Sequence, residues 1–193
     1  MKQPKGVILA GGLATRMGGG DKCLLPLGNA RVIDHVIDRL APQCDGLALN
    51  ANGDASRFDM LGLPVCPDSI DGFAGPLSGV LAGLDWAAAN GADHIVTAAA
   101  DTPFLPCDLV PQLQLAANDP GLALSQSPSG MQPTFGLWPV ALRDDLREAL
   151  ESGMRKVLHW TDRHDAGIAA FPEDAAFFNI NTPEDLKAAE AML

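Results

Sequence analysis

The sequence predicts one three-layer α/β domain, a mostly parallel, Rossmann-like sheet with helices on both faces. Three observations carry that expectation. Short apolar runs alternate with segments of helical periodicity, which implies crossover connections between parallel strands. Polar, loop-forming residues follow each apolar run, as a cleft beyond the carboxyl ends of the strands requires. The length, 193 residues, gives one domain with a full core and leaves little for a second.

The elements follow in order. "GVILA" (6–10) reads as a buried strand, and residues 32–40 place Val32, Ile33, Val36, Ile37 and Leu40 on one helical face. "GLALN" (46–50) is a second strand, 54–62 suits a short helix, and "LPVCP" holds a third strand. Helical spacing returns over 75–91, followed by a strand at 94–100 and a helix at 107–117. The neighbouring runs 121–126 and 133–138 suit an antiparallel pair, and 139–151 a helix. "FFNI" (177–180) reads as a late strand. Thr182, Pro183 and Asp185 then open the last helix as N-cap, first helical residue and acidic third position.

Composition narrows the function. The formal net charge of −11 disfavours nucleic acid and anionic membrane surfaces as partners. Glycine (20) and proline (15) together exceed the roughly 12% of ordinary chains, which indicates many loops. The four cysteines are widely spaced with no C-x-x-C pair, so free thiols in a reducing cytoplasm are expected. No apolar run approaches the ~20 residues of a membrane helix, and "GVILA" is too short for a signal segment.

Chemistry concentrates at the ends of the strands. "LAGGLATRMGGGDK" (9–22) puts glycines, Arg16 and Lys22 directly after the first strand. Glycine amides can converge on phosphate oxygens, and the two cations add full charge. Neither G-x4-G-K-[ST] nor G-x-G-x-x-G fits the spacing, so the loop is neither a P-loop nor a dinucleotide fingerprint. Asp101 ends the most apolar strand, where a carboxylate is costly to desolvate without a cation. It suits Mg²⁺ shared with a nucleotide, or the N-cap of a helix over 102–106. Asn50 and Asp68, at the ends of neighbouring strands, can bond a base or ribose or serve as loop residues. "FAGPLSG" (73–79), with Gly75 and Pro76, either brings a helix start toward a ligand or only caps that helix. One of Asn179 and Asn181 is expected to face the cleft and the other to cap. Arg155 and Lys156 form a second cationic pair, for an anionic second substrate or a solvated face. His159 and His164 have no third metal-ligand partner, and Ser78 and Ser129 have no visible His–Asp partners.

These motifs together resemble a known family. "LAGGLATRMGGGDK" is similar to the signature loop of nucleotidyltransferases that attach a nucleoside monophosphate to a phosphorylated acceptor. "LNAN" (49–52), "PDS" (67–69), "GPLSG" (75–79), "ADTPFLP" (100–106), "QPTFGLW" (132–138) and "NINTPEDL" (179–186) follow in the order of molybdenum cofactor guanylyltransferases, the MobA type. The resemblance covers nearly the whole chain. It implies that Leu9, Ala10 and Gly11 line the guanine and ribose end, with Gly12 also expected on GTP. It implies Asn50 and Asp68 on the nucleoside, Arg16 and Lys22 on the triphosphate, and Asp101 on Mg²⁺ and GTP. Arg16, Lys22 and Asp101 are then the catalytic residues. Gly75, Pro76, Arg155, Lys156, Asn179 and Asn181 fall to the acceptor, with residues 1–105 as nucleotide part and 106–193 as acceptor part.

Two positions depart from the family pattern: Ala100 stands where relatives often carry Cys, and Gln132 where many carry His. Molybdopterin cytidylyltransferases usually read L-A-A-G, so Gly11 favours guanine. Asp21 and the chain length argue against sugar-phosphate nucleotidyltransferases. An idle GTP-binding adaptor is disfavoured because Arg16, Lys22 and Asp101 are all present. The resemblance further implies GTP and molybdopterin as substrates and transient contacts with molybdopterin-insertion and molybdoenzyme proteins. A cytoplasmic monomer is the expectation. The attacking phosphate oxygen is already ionised near neutral pH, so alignment and charge neutralisation suffice without a general base.

Overall fold

The computed structural model describes residues 2–11, 21–70, 72 and 75–193. In chain order the elements are β1 (Lys5–Leu9), β2 (Pro26–Leu27), β3 (Ala30–Arg31), α1 (Val32–Leu40), β4 (Leu47–Asn50), β5 (Val65–Cys66), α2 (Pro76–Ala89) and β6 (His94–Ala99). Then come α3 (Leu109–Ala116), β7 (Ala123–Ser127), β8 (Gly130–Pro139), α4 (Arg143–Glu151), α5 (Val157–Thr161), β9 (Gly167–Ala170) and α6 (Pro183–Glu190). Seven strands share one sheet in the order β5-β4-β1-β6-β8-β7-β9. All of them run the same way except β8, which is antiparallel to both β6 and β7. The expected parallel sheet and antiparallel pair are therefore both present.

Each central strand serves two cores because successive side chains point to opposite faces. Val7 and Ile95 join a cluster with α2, α4 and α5, while Ile8 and Val96 join the opposite cluster with α1 and α3. Strands buried on both faces read as unbroken apolar runs, which is how β1 and β6 stand out in the sequence. Helix α2 lies unusually close to the sheet. A Cβ at Gly83 would fall 2.8 Å from Val7 Cγ2 and 2.9 Å from Ile95 Cδ1, so glycine is required there. On the same side Trp138 and Trp160 stack with ring centroids 6.2 Å apart. Trp138 Nε1 donates to Thr97 Oγ1 at 2.8 Å and Trp160 Nε1 to Asp145 Oδ1 at 2.9 Å, so both buried rings have their polar tip satisfied.

The structure departs from the sequence-based expectations in several places. Residues 177–180 are not a strand. Asp174–Phe177 form a 3₁₀ turn, and the chain then crosses the strand ends, where the Ile180 N–H donates to the Asp101 carbonyl at 2.9 Å instead of joining a sheet edge. Strand β9, helix α5 and the β2–β3 hairpin were not anticipated, since each is short and carries little periodicity. The segment expected as a helix over 54–62 is 3₁₀ from Ala55 to Leu61, stopped by Gly62 at φ 63°. No helix follows Asp101 over 102–106, so its N-cap reading falls. The last helix opens as expected: Thr182 Oγ1 accepts from the Asp185 N–H, and Asp185 Oδ2 accepts from the Thr182 N–H, a reciprocal capping box with Pro183 at the first position. Helix α6 and the β2–β3 hairpin close a small third cluster around Leu27, Val32, Ile180 and Ala189. Among the described residues, no helix is long and apolar enough to cross a membrane.

Candidate active site

The carboxyl ends of β4, β1 and β6 lie in register, with Leu9 opposite both Asn50 and Ala99. The Ala10 N–H donates to Asn50 O at 2.8 Å and the Ala100 N–H to Leu9 O at 3.0 Å, so the three chains leave the sheet together. This register gathers residues from distant motifs onto one edge. Gly12 and Arg16 lie outside the described residues.

One end of the edge is a tight amide–carboxylate cluster. Asn50, 3% exposed, donates through Nδ2 to Asp68 Oδ1 at 3.0 Å and to Cys66 O at 3.1 Å. Asn52 grips the same carboxylate: its Nδ2 donates to Asp68 Oδ2 at 2.9 Å, and its Oδ1 accepts from the Asp68 N–H at 2.9 Å. Asp68 is thereby fixed in orientation by two amides. Helix α2 comes down on this cluster beginning at Pro76, after Gly75 at φ 142°. A Cβ at Gly79 would fall 2.3 Å from Asn50 Oδ1 and 2.9 Å from Leu9 Cδ2, so the approach depends on glycine. At Gly11 a Cβ would meet Asn50 Oδ1 at 3.6 Å, an ordinary contact, so packing among the described residues does not demand glycine there.

The other end carries charge. Burial pushes the Asp101 carboxyl above the ordinary carboxylate range, opposed by its own backbone N–H, the Lys22 ammonium and the Thr102 hydroxyl. Lys22 Nζ donates to Asn181 Oδ1 at 3.1 Å, and the fully buried Thr102 donates through Oγ1 to Asn179 Oδ1. Both asparagines therefore reach this edge, where one was expected to cap. Residues two apart in extended chain share a side, which is the physical reason. Asp185 accepts from the Asn181 N–H at 2.9 Å and holds this segment to α6. Cys23, beside Asp101 and Asp21, has its thiol pushed up to about 12, chiefly by burial and then by the two carboxylates, which leaves it inert as a nucleophile.

Among the described residues, no group of three or more His, Cys, Asp or Glu side chains could hold a metal. Mg²⁺ typically takes one or two carboxylates and fills its remaining positions with water and phosphate oxygens. A half-buried carboxylate whose charge is disfavoured, next to a lysine, fits that donor set once a polyphosphate is present.

Arg155 and Lys156 sit apart from this cluster. They line a groove of about 400 Å³ with Ser152, Gly153, Met154 and His159. The groove adjoins the start of α2, since a Cβ at Gly75 would lie 3.9 Å from Arg155 O. The sequence had singled out neither Asn52 nor Thr102 nor Gly79 as a site residue. Asn52 was legible in principle, because it lies two residues beyond Asn50 in "LNAN" and therefore on the same side of an extended chain.

A family model for the MobA-like NTP transferase domain matches residues 6–166 of this chain. The chain belongs to that family. Within the MobA-like NTP transferases, it is 52% identical over 194 residues to the molybdenum cofactor guanylyltransferase of Bradyrhizobium, covering 97% of this chain and 92% of that one. It is 50% identical over 188 residues to the protein of the same name from Cereibacter sphaeroides, covering 97% and 96%. The crystal structure of molybdopterin-guanine dinucleotide biosynthesis protein A from Archaeoglobus fulgidus superposes with a TM-score of 0.72 at 25% identity, covering 97% of each chain. A nucleotidyl transferase from Methanothermobacter shares the fold at a TM-score of 0.75 and 18% identity, covering 100% and 98%. This member of the MobA-like family is a nucleotidyltransferase.

Proposed function

We propose that the chain transfers GMP from Mg·GTP to the terminal phosphate of molybdopterin, with or without bound molybdenum. The product is the guanine dinucleotide form of the molybdenum cofactor. The observation that carries this reading is the meeting of Lys22 and Asp101 on the same sheet edge as the Asn50–Asp68 cluster. The names of relatives about half identical over nearly their full length support the choice of substrates.

In this reading a phosphate oxygen of the acceptor attacks the α-phosphorus of GTP. The bond from that phosphorus to the bridging oxygen breaks, and pyrophosphate leaves. Leu9, Ala10, Gly11 and Gly12 line the base and ribose, while Asn50 and Asp68 hold the nucleoside. Arg16 and Lys22 neutralise the departing pyrophosphate. Asp101 holds Mg²⁺, which when bound supplies Lewis-acid neutralisation at the phosphates. Gly75, Pro76, Arg155 and Lys156 present the acceptor, and Asn179 and Asn181 complete its site from the C-terminal side. The nucleotide part lies mainly over about 1–105 and the acceptor part mainly over about 106–193, with Gly75 and Pro76 reaching the acceptor from the first. The chain works as a cytoplasmic monomer that hands its labile product directly to molybdopterin-insertion and molybdoenzyme proteins.

Pyrophosphate release from GTP and from CTP, each with molybdopterin and Mg²⁺, tests the reading. Release with GTP alone is expected, and only with both acceptor and metal present. Equal release with CTP would overturn the guanine assignment, and release without acceptor would overturn the transfer. Gly11→Ala sharpens the base question. Because the described residues leave room for a methyl there, Tm should hold while the preference for GTP over CTP falls.

A further inference from the structure

Asp21 stands immediately before Lys22 in sequence. An unpaired carboxylate at that point would repel the same phosphates that Lys22 attracts. The fold gives it a partner: Arg57 Nε lies 2.8 Å from Asp21 Oδ2, an ion pair whose N–H is not aligned as a hydrogen bond, with side chains 34% and 21% exposed. Two further contacts fix the guanidinium, and a glycine makes room for it. Its Nη2 donates to Asn52 O at 2.7 Å. Its Cζ lies 4.8 Å from the ring centroid of the buried Phe58. Gly53, at φ 83°, keeps the other side open, since a Cβ there would fall 3.2 Å from Arg57 Nη1. One side chain therefore joins the two ends of the site. On one side it holds Asp21, the neighbour of Lys22; on the other it holds Asn52, whose amide orients Asp68.

We propose that Arg57 is a positioning residue for the nucleotide, holding the Asp21 carboxylate away from the triphosphate that Lys22 attracts. The proposal rests on the nucleotide reading above and places Arg57 on the protein framework, not on the substrate. A guanidinium whose spread charge lies against Asp21 while Nη2 bonds a carbonyl is an arrangement that the single point charge of lysine does not reproduce.

The test compares wild type, Arg57→Met, Arg57→Lys, Asp21→Asn and the Asp21→Asn/Arg57→Met double variant. Calorimetry with Mg·GTP gives Kd, and pyrophosphate release gives KM and kcat. Methionine keeps an apolar stem over Phe58. Arg57→Met should weaken Kd and raise KM about tenfold while kcat changes much less, the split expected when ground-state positioning is lost. Asp21→Asn alone should bind GTP much as wild type does, and the double variant should recover most of the loss, because the repelling charge is gone. Arg57→Lys should fall between. Wild-type Kd in Arg57→Met, or a double variant no better than Arg57→Met, would overturn the proposal. Failure of wild type itself to bind GTP would instead sink the nucleotide reading.

Discussion

At one end of the site, Asp68 is gripped by two asparagine amides and its own N–H is taken by one of them. At the other end, Asp101 carries a carboxyl that burial drives toward neutrality, beside a lysine steadied by an amide 159 residues away. Both ends sit on the same sheet edge, yet they are organised differently. The Asp68 end has its polar groups mutually satisfied and local in structure, as a rigid selector of a neutral nucleoside should. The Asp101 end keeps an unfavourable charge arrangement that a cation and a polyphosphate relieve. In the proposed reading, preorganisation at one end serves recognition and electrostatic tension at the other serves chemistry.

Substitutions at the charged end should therefore act on turnover, and those at the amide end on nucleotide affinity. The largest effect is expected at Asp101. Asp101→Asn should cut guanylyl transfer by about 10³-fold, the scale of losing a metal's contribution at a transferring phosphate. The same variant should not be less stable. A carboxyl whose folded pKa is raised favours the folded state below its unfolded pKa and loses that contribution as pH rises through the folded value. In metal-free buffer, Asp101→Asn should thus melt above wild type at pH 7.5, with the gap shrinking toward pH 4. A lower Tm at pH 7.5 would break the contrast. Next, Lys22→Met should lower kcat by about 10²-fold, read as pyrophosphate release at saturating GTP; an effect confined to KM would reassign Lys22 to the recognition end.

Asp68→Asn should leave kcat within a few-fold and raise KM for GTP about tenfold. Its new amide group confronts the Asn50 or Asn52 amide with donor against donor, at a cost of about 1–3 kcal/mol. A collapse in kcat there would erase the distinction between the ends. Smallest in turnover is Gly79→Ala. The added carbon forces α2 away from Asn50 at a cost of about 1–3 kcal/mol, a few degrees in Tm at this chain length. KM for GTP should rise only a few-fold.

The sequence made the sheet legible where strands are buried on both faces and the helices legible where the apolar period is regular, as at Val32–Leu40. It was silent where elements are short and their residues small. Strand β9, "GIAA", is set by pairing with β7 and by packing against α3, neither of which leaves a local pattern. Residues 177–180 looked like a strand because apolar residues cluster there, yet Phe177 and Ile180 are buried against two different clusters as the chain crosses the strand ends. At the site, Asn50, Asp68 and Asp101 could be singled out because polar residues directly after apolar strands are costly unless used. Arg57 could not, since its importance depends on Asp21, Asn52 and Phe58 meeting around it in space.

The bond from Lys22 to Asn181 has a consequence in time. At synthesis rates of about 5–20 residues per second, the lysine is made on the order of ten seconds before the asparagine that steadies it, 159 residues later. The Asp68 carboxylate, by contrast, takes its hydrogen bonds from amides within 18 residues of it. In the proposed reading, a growing chain therefore gathers the side chains around Asp68 early but steadies Lys22 only once the asparagine is made.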